Sequence, residues 1–186
     1  IGISPDGTVW FCTHGGVACF DKDKWRKYSV KDGLASDTVY SIDFHPDGSI
    51  WFATRRGVSK YYHEKWEKFE IEDNAAFYST YTDLVKIASN GDLWFKRQGG
   101  VSCFNGSSWK HYSPGGYLDK GEIMDIVFDK DSSTIWFANY SIGIIKFDGT
   151  KWSLYNTDSG LVSNKVHTLM FENNIMWVPT LLGLSK

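Results

Sequence analysis

The sequence predicts an all-β chain, a β-propeller of four-stranded antiparallel blades. Three observations carry this reading: tryptophans recur at a period near 42 residues, each repeat holds four short strand-like runs, and turn residues separate those runs at matching offsets. All nine Trp fall into two series. Trp10, Trp51, Trp94, Trp136 and Trp177 follow one another at steps of 41, 43, 42 and 41 residues. Trp25, Trp66, Trp109 and Trp152 each come 15 or 16 residues after a member of the first series. Self-similarity at such a fixed period marks an array, and a period of about 42 suits a four-stranded blade. No segment sustains a 3.6-residue apolar period, so helices are expected to be negligible.

One repeat, read from Val39 to Ile71, shows the blade. Val39–Phe44 is the first strand, and the turn His45-Pro46-Asp47-Gly48 leads to a second at Ser49–Thr54. Arg55-Arg56-Gly57 turns the chain into Val58–Tyr61, and His63-Glu64-Lys65 leads to the last strand, Trp66–Ile71. β-Branched and aromatic enrichment marks the strands, and Pro-Asp-Gly and Gly mark the turns.

The other repeats overlay on this one. Second strands carry Trp10-Phe11-Cys12-Thr13, Trp51-Phe52-Ala53-Thr54, Trp94-Phe95-Lys96-Arg97, Trp136-Phe137-Ala138-Asn139 and Trp177-Val178-Pro179-Thr180. Third strands open on Gly16-Val17, Gly57-Val58, Gly100-Val101, Gly143-Ile144 and Gly183-Leu184. Fourth strands pair each Trp with an aromatic three residues on: Tyr28, Phe69, Tyr112 and Tyr155. An odd offset sends the two rings to opposite faces of the strand, so each meets a different neighbouring blade. Runs such as Ile50-Trp51-Phe52-Ala53 fit a strand covered on both sides.

The chain is thus one propeller domain over 1–186, with repeats at about 1–30, 39–71, 82–113, 123–157 and 166–186, both terminal ones incomplete. Two arrangements satisfy this: a closed five-bladed ring, or an arc of a larger propeller. An arc leaves aromatic blade faces to be covered by missing blades or by a second copy, which makes a homo-oligomer an expectation.

Composition narrows the partners. A formal net charge of −2 and a pI near 6.2 give no basic surface for nucleic acid. No apolar run approaches the roughly 20 residues of a membrane span, so this segment is not expected to insert. Three cysteines are too few for a disulfide scaffold. Cys12, Cys19 and Cys103 are expected to be buried free thiols.

The phrases of the repeat carry a resemblance. Gly33-Leu34-Ala35-Ser36-Asp37-Thr38-Val39, then Asp47-Gly48-Ser49-Ile50-Trp51-Phe52-Ala53-Thr54 and Gly57-Val58-Ser59-Lys60-Tyr61, closely resemble the two-component regulator propeller repeat. Gly160-Leu161-Val162-Ser163-Asn164-Lys165-Val166 repeats the opening phrase 127 residues later. The resemblance implies a propeller in the extracytoplasmic sensor region of a bacterial signalling receptor, many of which respond to carbohydrate fragments. It implies a periplasmic or extracytoplasmic location as well. The chain departs from the family pattern at Cys12, Lys96 and Pro179, where a small residue is usual after the strand Trp.

No catalytic residue, cofactor or metal is assigned. The five histidines occupy five different repeat positions, and none pairs at zinc-ligand spacing. No nucleophile motif, phosphate-cradling loop or EF-hand loop is present. Ser4-Pro5-Asp6-Gly7-Thr8-Val9-Trp10 resembles a sialidase Asp box in outline but not in its Asp-to-Trp spacing. The streptogramin lyase propeller shares an Asp-Gly-x-x-Trp-Phe-x-Thr phrase whose role is structural.

Function is expected where repeats differ on one face. In a propeller, the hairpin between second and third strands shares a face with the link between blades. That face offers Arg55, Arg56, Arg97, Gln98 and Tyr140 from hairpins, and Phe77, Tyr78, Tyr81, Tyr117 and Lys120 from links. Aromatic rings suit sugar faces, and Arg forks suit hydroxyls and carboxylates. The expected partner is a small polar or anionic ligand such as an oligosaccharide. A protein-assembly scaffold is the alternative, and a propeller lyase or glycosidase comes third.

Overall fold

The computed structural model describes residues 1–69, 81–97, 99–112, 121–129, 133–172 and 175–186. Blade one is β1 (Gly2–Ile3), β2 (Val9–Thr13), β3 (Gly16–Asp21) and β4 (Lys24–Tyr28). Blade two is β5 (Val39–Phe44), β6 (Ile50–Thr54), β7 (Gly57–Tyr62) and β8 (Lys65–Phe69). Blade three is β9 (Leu84–Ile87), β10 (Leu93–Arg97), β11 (Gly100–Phe104) and β12 (Trp109–Tyr112). Blade four is β13 (Ile123–Phe128), β14 (Ile135–Asn139), β15 (Gly143–Phe147) and β16 (Trp152–Tyr155). Blade five is β17 (Met170–Glu172), β18 (Ile175–Thr180) and β19 (Gly183–Ser185). Each blade is its own sheet with strands in chain order, and the fifth has three strands. The paired strands run antiparallel, as in β5–β6 and β6–β7. Among the described residues the one helical stretch is the 3₁₀ turn Thr157–Ser159.

The strands fall within a residue or two of their sequence-read bounds. Glu70 and Ile71, placed at the end of the fourth strand in blade two, lie outside the described residues. The first strand of blade five starts later than position 166: Val166 makes a single bridge to Thr180, and β17 begins at Met170.

Two local devices make the hairpins. Gly16, Gly57 and Gly143 open their third strands at φ of 110°, 96° and 108°. A Cβ there would run into the carbonyl oxygens of Tyr28, Phe69 and Tyr155, so only glycine lets the fourth strand close in. At the end of the second strand, the Thr13, Thr54 and Thr180 hydroxyls donate to the carbonyls of Gly16, Gly57 and Gly183 at 2.7–2.8 Å. Asn139 does the same job in blade four by accepting from the Ser141 and Ile142 N–H groups.

Contacts divide the chain into two compact bodies. The first is Ile1–Ile87, Gly91–Gln98 and Ser102–Lys110, and the second is Ala88–Asn90, Gly99–Val101 and His111–Lys186.

Within the first body, sheets stack through alternating aromatic faces. Trp10, Val17, Cys19 and Tyr28 of blade one pack with Phe52, Tyr61 and Trp66 of blade two. Trp51, Val58 and Phe69 leave the other face of blade two to meet Val85, Leu93, Phe95, Phe104 and Trp109. All five residues of β6 are buried, the consequence of a strand covered on both sides. First strands lie side by side across blades: the Ile87 N–H donates to Asp43 Oδ2 at 2.8 Å, and Ser41 Oγ meets the Val85 backbone. Burial pushes the Asp43 carboxyl above the usual range, partly opposed by the Ile87 and Phe44 N–H groups.

Within the second body the pattern recurs. Ala138, Ile144, Val166, Leu169 and Val178 form a buried cluster, with Trp136 packed against it. Asp125 repeats the part of Asp43, accepting from the Thr168 hydroxyl at 2.6 Å and the Leu169 N–H at 3.5 Å.

One tryptophan departs from the expected burial. Trp25 is 60% exposed. Its ring rests on Phe11 and Phe20 of its own sheet. Trp66, its counterpart in blade two, has Tyr28 of blade one at 5.3 Å. The cysteines are all free, Cys19 and Cys103 buried and Cys12 partly so. Burial pushes the Cys12 thiol up to about 11 and the Cys103 thiol up to about 12.

Candidate functional site

Backbone hydrogen bonds fix which loops share a face. In the first body, the Gly16 N–H donates to the Asp37 carbonyl at 2.6 Å, Arg55 N–H to Thr38 at 3.0 Å and Thr82 N–H to Thr54 at 3.3 Å. The β2–β3 and β6–β7 hairpins are thereby tied to the links that precede blades two and three.

The link before blade two is rigid for reasons visible in its sequence. Leu34 is fully buried and anchors it. The Ala35 N–H donates to Ser59 Oγ at 2.9 Å, Thr38 N–H to Ser36 Oγ at 3.2 Å and Val30 N–H to Asp37 Oδ1 at 2.7 Å. The later copy repeats each bond, with Val162 to Ser185, Lys165 to Ser163 and Thr157 to Asn164. The Gly-Leu-x-Ser phrase is scaffold, and it forms one wall of a site.

That site is a polar depression of about 560 Å³ lined by Val30, Ala35, Ser36, Asp37, Thr38, Arg55 and Arg56. Arg55 and Arg56 are exposed, and neither guanidinium makes an ion pair or hydrogen bond to another described residue. Two adjacent cations with open donors beside hydroxyls form a seat for an anionic or polyhydroxylated group.

Next to it runs an aromatic rim. Tyr40 packs edge-on against His14 at 6.1 Å and Tyr81 at 5.3 Å. The Tyr81 hydroxyl donates to Asp83 Oδ2 at 3.4 Å, and Lys96 Nζ donates to the same oxygen at 2.8 Å. Asp83 Oδ1 is buried with no hydrogen-bond partner among the described residues. Burial and the Asp83 charge push the Tyr81 hydroxyl up to about 12, which keeps it a donor.

The sequence-read residues separate here. Arg55 and Arg56 come together in the depression. Arg97 does not join them at the surface: it is the last residue of β10 and only 2% exposed. It occupies the position of Thr13, Thr54, Asn139 and Thr180, the inward-bonded end of the second strand, and not the hairpin tip. Tyr140 lies in the second body, edge-on to His167 at 5.0 Å with Lys165 Nζ 5.6 Å from its ring. Gln98, Tyr78 and Tyr117, with Phe77 and Lys120, lie outside the described residues.

Sequence reasoning passed over Asp37, His14, Tyr40, Asp83 and Lys96 as site residues. Lys96 carried a signal, since it stands where blades two and four have Ala53 and Ala138. A charge at that half-buried place requires a partner, and Asp83 is it. Among the described residues no three His, Cys, Asp or Glu side chains converge as a metal site. No helix among them is long and apolar enough to cross a membrane.

Stacked, separately hydrogen-bonded four-stranded sheets with a loop-face site define a β-propeller. Among solved structures, the chain is similar to the extracellular domain of the one-component system BT4673 from B. thetaiotaomicron, with 16% identity and a TM-score of 0.81 over 98% of this chain and 26% of that one. It is similar to the extracellular domain of the hybrid two-component system BT3049 from the same organism, with 20% identity and a TM-score of 0.76 over 98% and 26%. Virginiamycin B lyase from Staphylococcus aureus is a third, with 15% identity and a TM-score of 0.78 over 98% and 62%. The chain spans about a quarter of the two extracellular domains and under two thirds of the lyase. No protein-family model and no curated protein matches it in sequence. At these identities the likeness establishes the fold, and the extracellular domains are of the kind the repeat phrases resemble.

Proposed function

We propose that this chain is a ligand-binding propeller of an extracytoplasmic sensor, which recognises an acidic or polyhydroxylated small molecule, an oligosaccharide above all. The observation that carries the reading is the pair of exposed, unengaged guanidinium groups of Arg55 and Arg56 in a polar depression beside the Tyr40–Tyr81 rim. Arginine forks bind carboxylates and hydroxyls, and aromatic rings bind sugar faces. The likeness to extracellular domains of signalling systems supports binding over turnover.

Thermal-shift screening against neutral and acidic oligosaccharides tests it. A cognate ligand at about 100 times its Kd stabilises the fold by about 2.7 kcal/mol. The double variant Arg55→Ala/Arg56→Ala is expected to lose that shift while its own Tm stays near the parent's, because both side chains are exposed. A shift that survives in the double variant, or none with any acidic or neutral glycan, removes the proposal.

An assembly role draws on a different observation: Leu181, Leu182 and Leu184 at the β18–β19 hairpin are 57%, 73% and 57% exposed. A stable oligomer by light scattering, insensitive to sugars, favours that role. Turnover in a lyase or glycosidase screen favours the third, enzymatic one.

A further inference from the structure

At the other ends of the strands, away from the arginine depression, blades one and two enclose a second cavity. It measures about 280 Å³, and its walls include Trp10, Phe44, Ile50 and Tyr61, with Asp6 and His63 among its polar lining residues. The repeat itself explains why it is open.

The turns Ser4-Pro5-Asp6-Gly7-Thr8 and His45-Pro46-Asp47-Gly48-Ser49 are built alike. The Ser4 N–H donates to the Thr8 carbonyl at 2.9 Å and the His45 N–H to Ser49 at 2.8 Å, and Gly7 and Gly48 close the same turn onto Ser4 and His45. Ser4 is therefore the counterpart of His45. Between blades two and three, the His45 ring bridges the turns: Nδ1 lies 2.8 Å from Asp47 Oδ1 and Nε2 donates to the Gly91 carbonyl at 3.0 Å. Gly91, at φ 88°, suits that close approach, since a Cβ would stand 3.0 Å from Nε2.

Between blades one and two that ring is missing. The Ser4 hydroxyl turns inward, donating to Asp6 Oδ1 at 2.6 Å and accepting from Trp10 Nε1 at 3.2 Å. Asp6 makes no ion pair with a described residue, and its Oδ2 is unused. The Ser4 hydroxyl and the Thr8 N–H hold its carboxyl below the usual range. This junction thus lacks the planar ring that its neighbour has built in, while Asp6 keeps a carboxylate oxygen without a partner among the described residues.

The geometry points to a ligand site here for a small planar cation, an imidazolium or aromatic ammonium group, which takes the place His45 fills one blade on and pairs with Asp6. This site is separate from the arginine depression, and its test does not depend on that reading.

The probe is 4-methylimidazole, the histidine side chain as a free molecule, titrated at about pH 6 where it is largely cationic. Chemical shifts of the Trp10 indole N–H and the Asp6 amide follow binding. Saturable shifts with a Kd on the order of millimolar are expected for so few atoms. Asp6→Asn keeps the oxygen that accepts from Ser4 and Thr8 and removes the charge, so binding is expected to weaken about tenfold. Ser4→His supplies the ring in place, and binding is expected to vanish. Arg55→Ala/Arg56→Ala is expected to leave it unchanged. Non-saturating shifts, or equal binding in Asp6→Asn and the parent, overturn the proposal.

Discussion

Trp51 and Trp25 show how much a residue's worth depends on what covers it. Trp51 is 3% exposed, against Phe69 at 4.9 Å on its own blade and Phe95 at 6.5 Å on the next. Trp51→Ala is expected to cost about 3–5 kcal/mol in urea unfolding, because the ring leaves a cavity. Trp25→Ala, with the ring 60% exposed, is expected to cost roughly 1 kcal/mol or less. Equal costs would mean that the exposed face of Trp25 is covered in solution. Asp148 offers a pH test. The Lys151 N–H first, then the Thr150 hydroxyl and N–H, hold its carboxyl down at about 2. A depressed carboxylate favours the folded state above the ordinary range and loses that contribution as pH falls through about 2. Asn105 takes the corresponding turn without a titrating group, accepting from Ser107 and Ser108. Asp148→Asn is expected to flatten the acid limb of stability against pH, read as unfolding midpoints at neutral pH and at about pH 2.5. An unchanged acid limb would show that the turn does not discriminate the charged form.

At the scale of elements, the sequence was most legible where one chemistry has one use. Glycine at the head of each third strand, Pro-Asp-Gly in the turns and unbroken apolar runs in second strands named the strands of blade two almost to the residue. Arg97 was misread because a long cation at a strand end reads as a surface residue, although the overlay of second strands already set it in the place of Thr54. The turn β3–β4 shows what sequence hid. Lys22 and Asp23 both adopt positive φ, 42° and 74°, the two-residue hairpin geometry that favours Asn-Gly. Lys22→Asn with Asp23→Gly is expected to raise stability by about 1 kcal/mol through relief of that backbone strain; a lower unfolding midpoint would place the strain elsewhere. Between elements, Ser59→Ala removes the acceptor of the Ala35 N–H. A loss of about 1–3 kcal/mol is expected for the orphaned donor.

For the whole molecule, the tryptophan period reported the blades, because a ring that recurs at one register in every sheet is a ring that sheet stacking buries. The site was legible only as a face. Its membership depends on which loops touch: Asp37 and Thr38 join Arg55 and Arg56 through the bond from Arg55 N–H to Thr38. The Ser4-centred cavity was invisible until the turns could be overlaid in space.

Stacking between separate sheets is best tested by hydrogen exchange on Trp51→Leu. If the indole of β6 holds blade three as well as its own, protection is expected to fall in β10 (Leu93–Arg97) along with β6, although β10 shares no hydrogen bond with that strand. Loss confined to β6 and its hydrogen-bonded neighbours β5 and β7 would contradict radial stacking of the blades.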